Sequence, residues 1–140
     1  MKKEVVLSIQ GRQSYEDQEP ELIELVTNGT MENRDGGWDI AYEESDLTGL
    51  AGVTTTFRVE PGTVTLKRTG KLHSEMVFQV GQFHESLYQM EFGALLITVC
   101  ASQVDYELTE QGGTIDLVYA IDIEQTACGL VIYHLDVEAK

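Results

Sequence analysis

The sequence predicts an all-β fold, one antiparallel barrel of eight to ten strands, and three observations predict it. Apolar and polar residues alternate with period two along most of the 140-residue chain. Turn-forming dipeptides interrupt that alternation about every ten residues, the spacing of a meander. Only two prolines occur, so little of the chain is barred from pairing. A two-sheet sandwich would satisfy the same strand count. The steady up-and-down order of turns favours the barrel, and closure removes edges that invite aggregation.

The elements follow in order. Val5, Leu7 and Ile9 share one face of a first strand. Residues 13–25 are acidic enough to hold a helical turn, but Pro20 interrupts them. Asn28-Gly29 fits either a hairpin turn or a bulge inside one long strand from about 22 to 33. Asp35-Gly36-Gly37 supplies positive φ for a tight hairpin. Beyond it Trp38, Ile40 and Tyr42 share a face, and Glu44 continues it. Val53, Phe57 and Val59 mark the next strand. Pro61-Gly62 suits a type II turn into strand 63–69. Met76, Phe78 and Val80 share a face, and further turns fall at Gly70, Gly81, Phe92-Gly93 and Gln111-Gly112-Gly113. Ile115, Leu117, Tyr119, Ile121 and Ile123 form the longest stripe, and Val131, Tyr133, Leu135 and Val137 the last. Strands 94–101 and 130–137 are apolar on both faces, which implies a cover outside as well as a core inside.

Charge excludes several partners. With 24 acidic and 9 basic residues the net charge is −15. Such a field repels a phosphate backbone, so nucleic acid is not an expected partner. It also disfavours anionic membrane surfaces, and no apolar run is long enough for a spanning helix. The start, Met1 to Ser8, lacks the apolar stretch of a signal peptide, so a cytoplasmic protein is expected. There Cys100 and Cys128 are expected as reduced core residues. The charge is uneven: residues 51–82 hold four basic and two acidic side chains, whereas 83–140 hold one basic and ten acidic.

Arg68 is the most informative single residue. Parity puts it on the apolar face with Val64 and Leu66, while Lys67 takes the solvent. An inward arginine needs a partner. Glu44 lies on the inward face of its own strand, so a Glu44–Arg68 pair with Tyr42 nearby is expected. The bland alternative is an arginine snorkelling to the rim. Tyr42, Tyr88, Tyr106 and Tyr119 also carry inward parity, and buried phenols often line cavities. The three histidines lack metal spacing, although a converged His84 and His134 would make a site. No calcium loop, Gly-x-Ser-x-Gly or cysteine–histidine pattern occurs, so no metal, no cofactor and no catalysis are expected. Gly49-x-x-Gly52 precedes a strand rather than a helix and cradles no phosphate.

The run Tyr42-Glu43-Glu44, then Gly49 to Thr56, then Lys67-Arg68-Thr69-Gly70, resembles the YwiB-like family of bacterial proteins. So do Phe78-x-x-Gly81, Tyr88, Phe92-Gly93 and the strand from Gly113 to Tyr119. The resemblance implies a calycin-like, lipocalin-like barrel over residues 1–140 and no assigned reaction. The function expected is non-catalytic binding of a small, partly apolar and even anionic molecule in the lumen. Its site would hold Tyr42, Glu44, Arg68, Tyr88 and Tyr119. The alternative is a solid barrel that buries outer residues such as Leu87, Leu96, Val118, Val131 or Ile132 against a second copy, a homodimer, or another protein.

Overall fold

Alternating side chains fold here into ten strands and, among the described residues, no helix. The computed structural model describes residues 2–14, 21–45, 51–90, 93–124 and 126–140. The strands are β1 (Lys2–Ser14), β2 (Glu21–Arg34), β3 (Gly37–Glu43), β4 (Val53–Glu60) and β5 (Thr63–Gly70). They continue as β6 (Ser74–Phe78), β7 (Phe83–Met90), β8 (Gly93–Thr109), β9 (Gly112–Ile123) and β10 (Thr126–Ala139). Their order in the sheet is β6-β5-β4-β3-β2-β1-β10-β9-β8-β7. Every sequential pair except β6–β7 is laddered, and the terminal strands β1 and β10 pair over ten residues. The result is a nearly closed antiparallel barrel with one incomplete seam, between β6 and β7.

Two ties cross that seam, and a third anchors the chain after β6 to β8. His73 and Gln89 exchange backbone hydrogen bonds at 2.9 and 2.8 Å. The Val77 amide donates to His84 Nδ1 at 3.3 Å instead of to a backbone carbonyl. The Gly81 amide donates to the Ala101 carbonyl at 3.0 Å. Pairing does not continue from His73–Gln89 to Glu75 and Leu87.

The inward stripes build one core. Val5, Leu7, Met31, Ile40, Phe57, Val64, Phe78, Ile115, Leu117 and Leu135 are completely or almost completely buried. Each expected inward stripe contributes to it. Several expectations change. Val80 is exposed, because the chain leaves β6 after Phe78 and only bridges to Ala101. Val131 faces the core, not the exterior, since it shares parity with Tyr133 and Leu135. The turn before β9 is Glu110-Gln111, as Thr109 pairs with Gly112. Gly112 and Gly113 open the strand instead. A Cβ on Gly113 would lie 1.7 Å from the Glu107 carbonyl oxygen, at a φ of +149°.

Both hairpin turns read from the sequence are present. Arg34 pairs with Gly37 around Asp35-Gly36, whose φ values of 51° and 78° fit the primed hairpin turn. Glu60 pairs with Thr63 around Pro61-Gly62, with Gly62 at +74°. Residues 13, 14 and 21–25 are strand; the rest of the stretch considered for a helical turn lies outside the described residues, as do Gly49 and Phe92. Asn28-Gly29 is neither turn nor bulge. The β1–β2 register runs through Val5–Gly29 without a shift. A close approach explains the glycine: a Cβ there would sit 2.5 Å from the Ala41 carbonyl oxygen and 2.8 Å from Leu7 Cδ1.

Gly29→Ala is therefore expected to destabilise the barrel by about 1–3 kcal/mol, the usual cost of overpacking. Gly11→Ala should be close to neutral, because its Cβ would meet Ile23 at an ordinary 3.8 Å. Urea unfolding of both variants checks the contrast, and equal stability would contradict it.

Candidate functional site

The two ends of the barrel differ in chemistry. Strands alternate in direction, so odd strands finish and even strands begin at the same end. At the other end, Trp38, Val59, Val64, Val104, Leu108 and Val137 pack together. Tyr106 belongs to that end: its hydroxyl accepts a hydrogen bond from the Gly62 amide at 3.2 Å. It therefore lies apart from the other inward tyrosines. Two aromatic contacts cross the middle of the lumen between strands that are not neighbours. Phe57 meets Tyr133 with ring centroids 5.6 Å apart, and Phe78 meets Tyr119 at 4.5 Å.

Beyond that aromatic floor the interior becomes polar. Cross-strand register sets Tyr42 beside Thr55, Thr55 beside Arg68, and Arg68 beside Ser74. The His73–Gln89 bridge then places Tyr88 opposite Ser74 across the seam. Glu44 lies just past the end of β3, where its amide donates to the Val53 carbonyl at 2.8 Å. Its carboxylate is buried and accepts from the Thr55 hydroxyl at 2.7 Å.

The expected Glu44–Arg68 pair is not formed. Glu44 lies on β3's continuation and Arg68 on β5, two strand spacings or roughly 10 Å across the sheet. Thr55 stands between them and takes the carboxylate. Arg68 nevertheless points inward and is half-buried. Its charge pulls down the phenol pKa values of Tyr42, Tyr119 and Tyr133, which places it among them. Burial works harder in the other direction. It pushes Tyr119 up to about 12. Tyr42 is raised further, by burial first and by the neighbouring Glu44 carboxylate second. Tyr133 is raised by burial and by Tyr42. All three phenols thus remain neutral donors at physiological pH.

Several polar atoms at this end have no partner among the described residues. Glu44 Oε2, Arg68 Nε, Ser74 Oγ and Ser86 Oγ are all buried and unsatisfied. Buried polar groups are rarely left so, and each orphan costs about 1–3 kcal/mol. Of the residues singled out from the sequence, Tyr42, Glu44, Arg68, Tyr88 and Tyr119 gather at this end. Thr55, Ser74, Ser86 and Tyr133 were missed. Their signal was a polar residue at an inward position of an apolar stripe: Thr55 between Val53 and Phe57, Ser74 before Met76, Ser86 between His84 and Tyr88. Half-buried Leu25, Ile121 and Ile123 add apolar surface around them.

The histidines do not converge. His84 holds the seam through Val77. His134 lies on the outer face of β10, with Nδ1 against Asp116 and Nε2 3.0 Å from Asp136. Among the described residues no group of side chains could hold a metal ion. Cys100 is a free thiol, and no described helix is long and apolar enough to cross a membrane.

Comparison with known proteins places this architecture. A family described as a domain of unknown function, DUF1934, matches residues 7–135. An uncharacterised β-barrel protein, YwiB of Bacillus subtilis (strain 168), is 27% identical over 125 residues, covering 88% of this chain and 86% of that protein. The crystal structure of the Bacillus subtilis ywiB protein superposes with a TM-score of 0.88 at 22% identity, over 99% of this chain and 93% of that one.

Two titrations follow. The Tyr119 phenol is neutral in the fold at a pH where an unfolded tyrosine ionises, near 10. Its contribution to stability is complete below that pH and is lost as pH rises through about 12. Ultraviolet difference titration should show a late-ionising phenol that Tyr119→Phe removes; a titration midpoint near 10 for all tyrosines would contradict the buried cluster. His134 is raised above 6.5, chiefly by its hydrogen bond to Asp116. Its stabilisation is present below 6.5 and lost as pH rises through the elevated value. Proton NMR should place its midpoint above 6.5, with Asp116→Asn bringing it down.

Proposed function

Because the chain belongs to the DUF1934 family, whose description names no chemistry, we propose a function from the site itself: non-catalytic binding of a small, partly apolar molecule at the polar end of the lumen. One observation carries this reading. Four buried polar atoms, on Glu44, Arg68, Ser74 and Ser86, lack partners at one end of an otherwise well-packed barrel. A ligand that supplied those partners would recover their desolvation cost. Tyr42, Glu44, Arg68, Tyr88 and Tyr119 orient it, with Tyr133 and Thr55 beside them. The aromatic contacts below form the floor, so the ligand is short. The role is that of a calycin-like binding barrel working in the cytoplasm. No nucleophile–base pair stands among the residues of the site, which favours binding over turnover.

A second reading rests on a different observation. Leu22 and Val26 on β2, with Leu130 and Ile132 on β10, are 72, 70, 41 and 43% exposed. These outer residues fit a barrel that associates with a second copy. Leu87 on β7 is also exposed, whereas Leu96 and Val118 are half-buried.

Native mass spectrometry of protein purified from its own cells separates the readings. The expected result is a monomer carrying a small adduct that denaturation releases and that Tyr42→Phe with Glu44→Gln depletes. A bare dimer would support the second reading, and a bare monomer would contradict the first.

A further inference from the structure

The seam and the unsatisfied atoms coincide. Arg68, Ser74 and Ser86 line a pocket of about 330 Å³ together with Glu75, Leu87 and Gln89. Three of these carry inward polar atoms without partners, while Glu75, Leu87 and Gln89 belong to the outer faces of β6 and β7. The pocket opens to solvent where β6 and β7 are unladdered, and inner as well as outer residues of these strands wall it. We propose that the β6–β7 seam is a side entrance to the polar end of the lumen, and that Arg68, Ser74 and Ser86 bind there the carboxylate of a small, singly charged ligand.

The chemistry of the three groups selects the ligand. Each offers a hydrogen to donate: the Arg68 Nε–H and the hydroxyls of Ser74 and Ser86. A guanidinium edge matches the two oxygens of a carboxylate. A single cation in the pocket's inner wall balances a single negative charge. Glu44 is held by the Thr55 hydroxyl, which stands between it and Arg68, and so leaves the Arg68 charge for the ligand. A doubly charged phosphate would add buried charge without compensation. On the outer side of the pocket Lys67 faces Glu75 across the β5–β6 ladder, so that rim is neutral as a pair. The site thus accepts an anion despite the acidic total, because Arg68 and Lys67 line it against the single carboxylate of Glu75.

This inference rests on lumen binding and names its ligand class. The test is isothermal titration calorimetry with octanoate and octanol, which share a chain and differ in charge. Octanoate should bind about tenfold or more tightly than octanol, the value of a charge-assisted pair. Arg68→Met should bring octanoate down to the octanol level. Ser86→Ala, which removes one hydroxyl and keeps the fold if Arg68→Met does not, should weaken octanoate about fivefold and leave octanol unchanged. Equal binding of the two probes to the native protein, or octanoate preference unaltered in either folded variant, would overturn the anion site while leaving lumen binding in place. Binding of neither probe would overturn both.

Discussion

The pairing of β1 with β10 is the constraint on which the rest of the molecule depends. A ten-strand meander laddered only between consecutive strands would be an open sheet with two free edges. Here the first and last strands meet over ten residue pairs, from Val5–Ala139 to Ser14–Leu130. The ring is thereby fixed, and its discontinuity is displaced to the middle of the sequence, between β6 and β7. β6 is the shortest strand, Ser74 to Phe78, too short to ladder both neighbours along their length. His84 and the His73–Gln89 bridge hold the gap instead.

That placement decides what the interior can do. The buried inward side chains of β1, β9 and β10 are aliphatic or aromatic, and the Phe57–Tyr133 and Phe78–Tyr119 contacts span the lumen. Polar inward groups collect on the strands that lead to the seam: Glu44 after β3, Thr55 on β4, Arg68 on β5, Ser74 on β6, Ser86 on β7. Only Glu44 and Thr55 satisfy each other. A barrel selected for stability alone gains nothing from leaving the others unpaired, since apolar residues of similar size would pack there at less cost. Strained or unsatisfied groups in a sound fold are where function is expected.

Much of the fold was legible because strand periodicity is simple. Asp35-Gly36 and Pro61-Gly62 declared their turns, and Ile115 to Ile123 declared a half-buried strand. Gly29 was not legible, because its reason is the approach of Ala41 and Leu7, both distant in sequence. Val80 was misplaced because periodicity does not say where a strand ends. For the site, parity correctly aimed Arg68, Glu44 and Tyr42 inward. Distance between them was beyond it: strand spacing puts Thr55 in the gap, and no pattern of residues 42–44 and 66–68 reports that. Ser74 and Ser86 were overlooked because a serine in a stripe is unremarkable until its hydroxyl is found buried without a partner.

Amide hydrogen exchange followed by NMR reads the openness of the β6–β7 seam residue by residue. The amides of Glu75 and Leu87 should exchange many times faster than those of Leu7 and Leu135 in the closed β1–β10 ladder. Equally slow exchange at all four would show a sealed wall at β6–β7 and contradict the account.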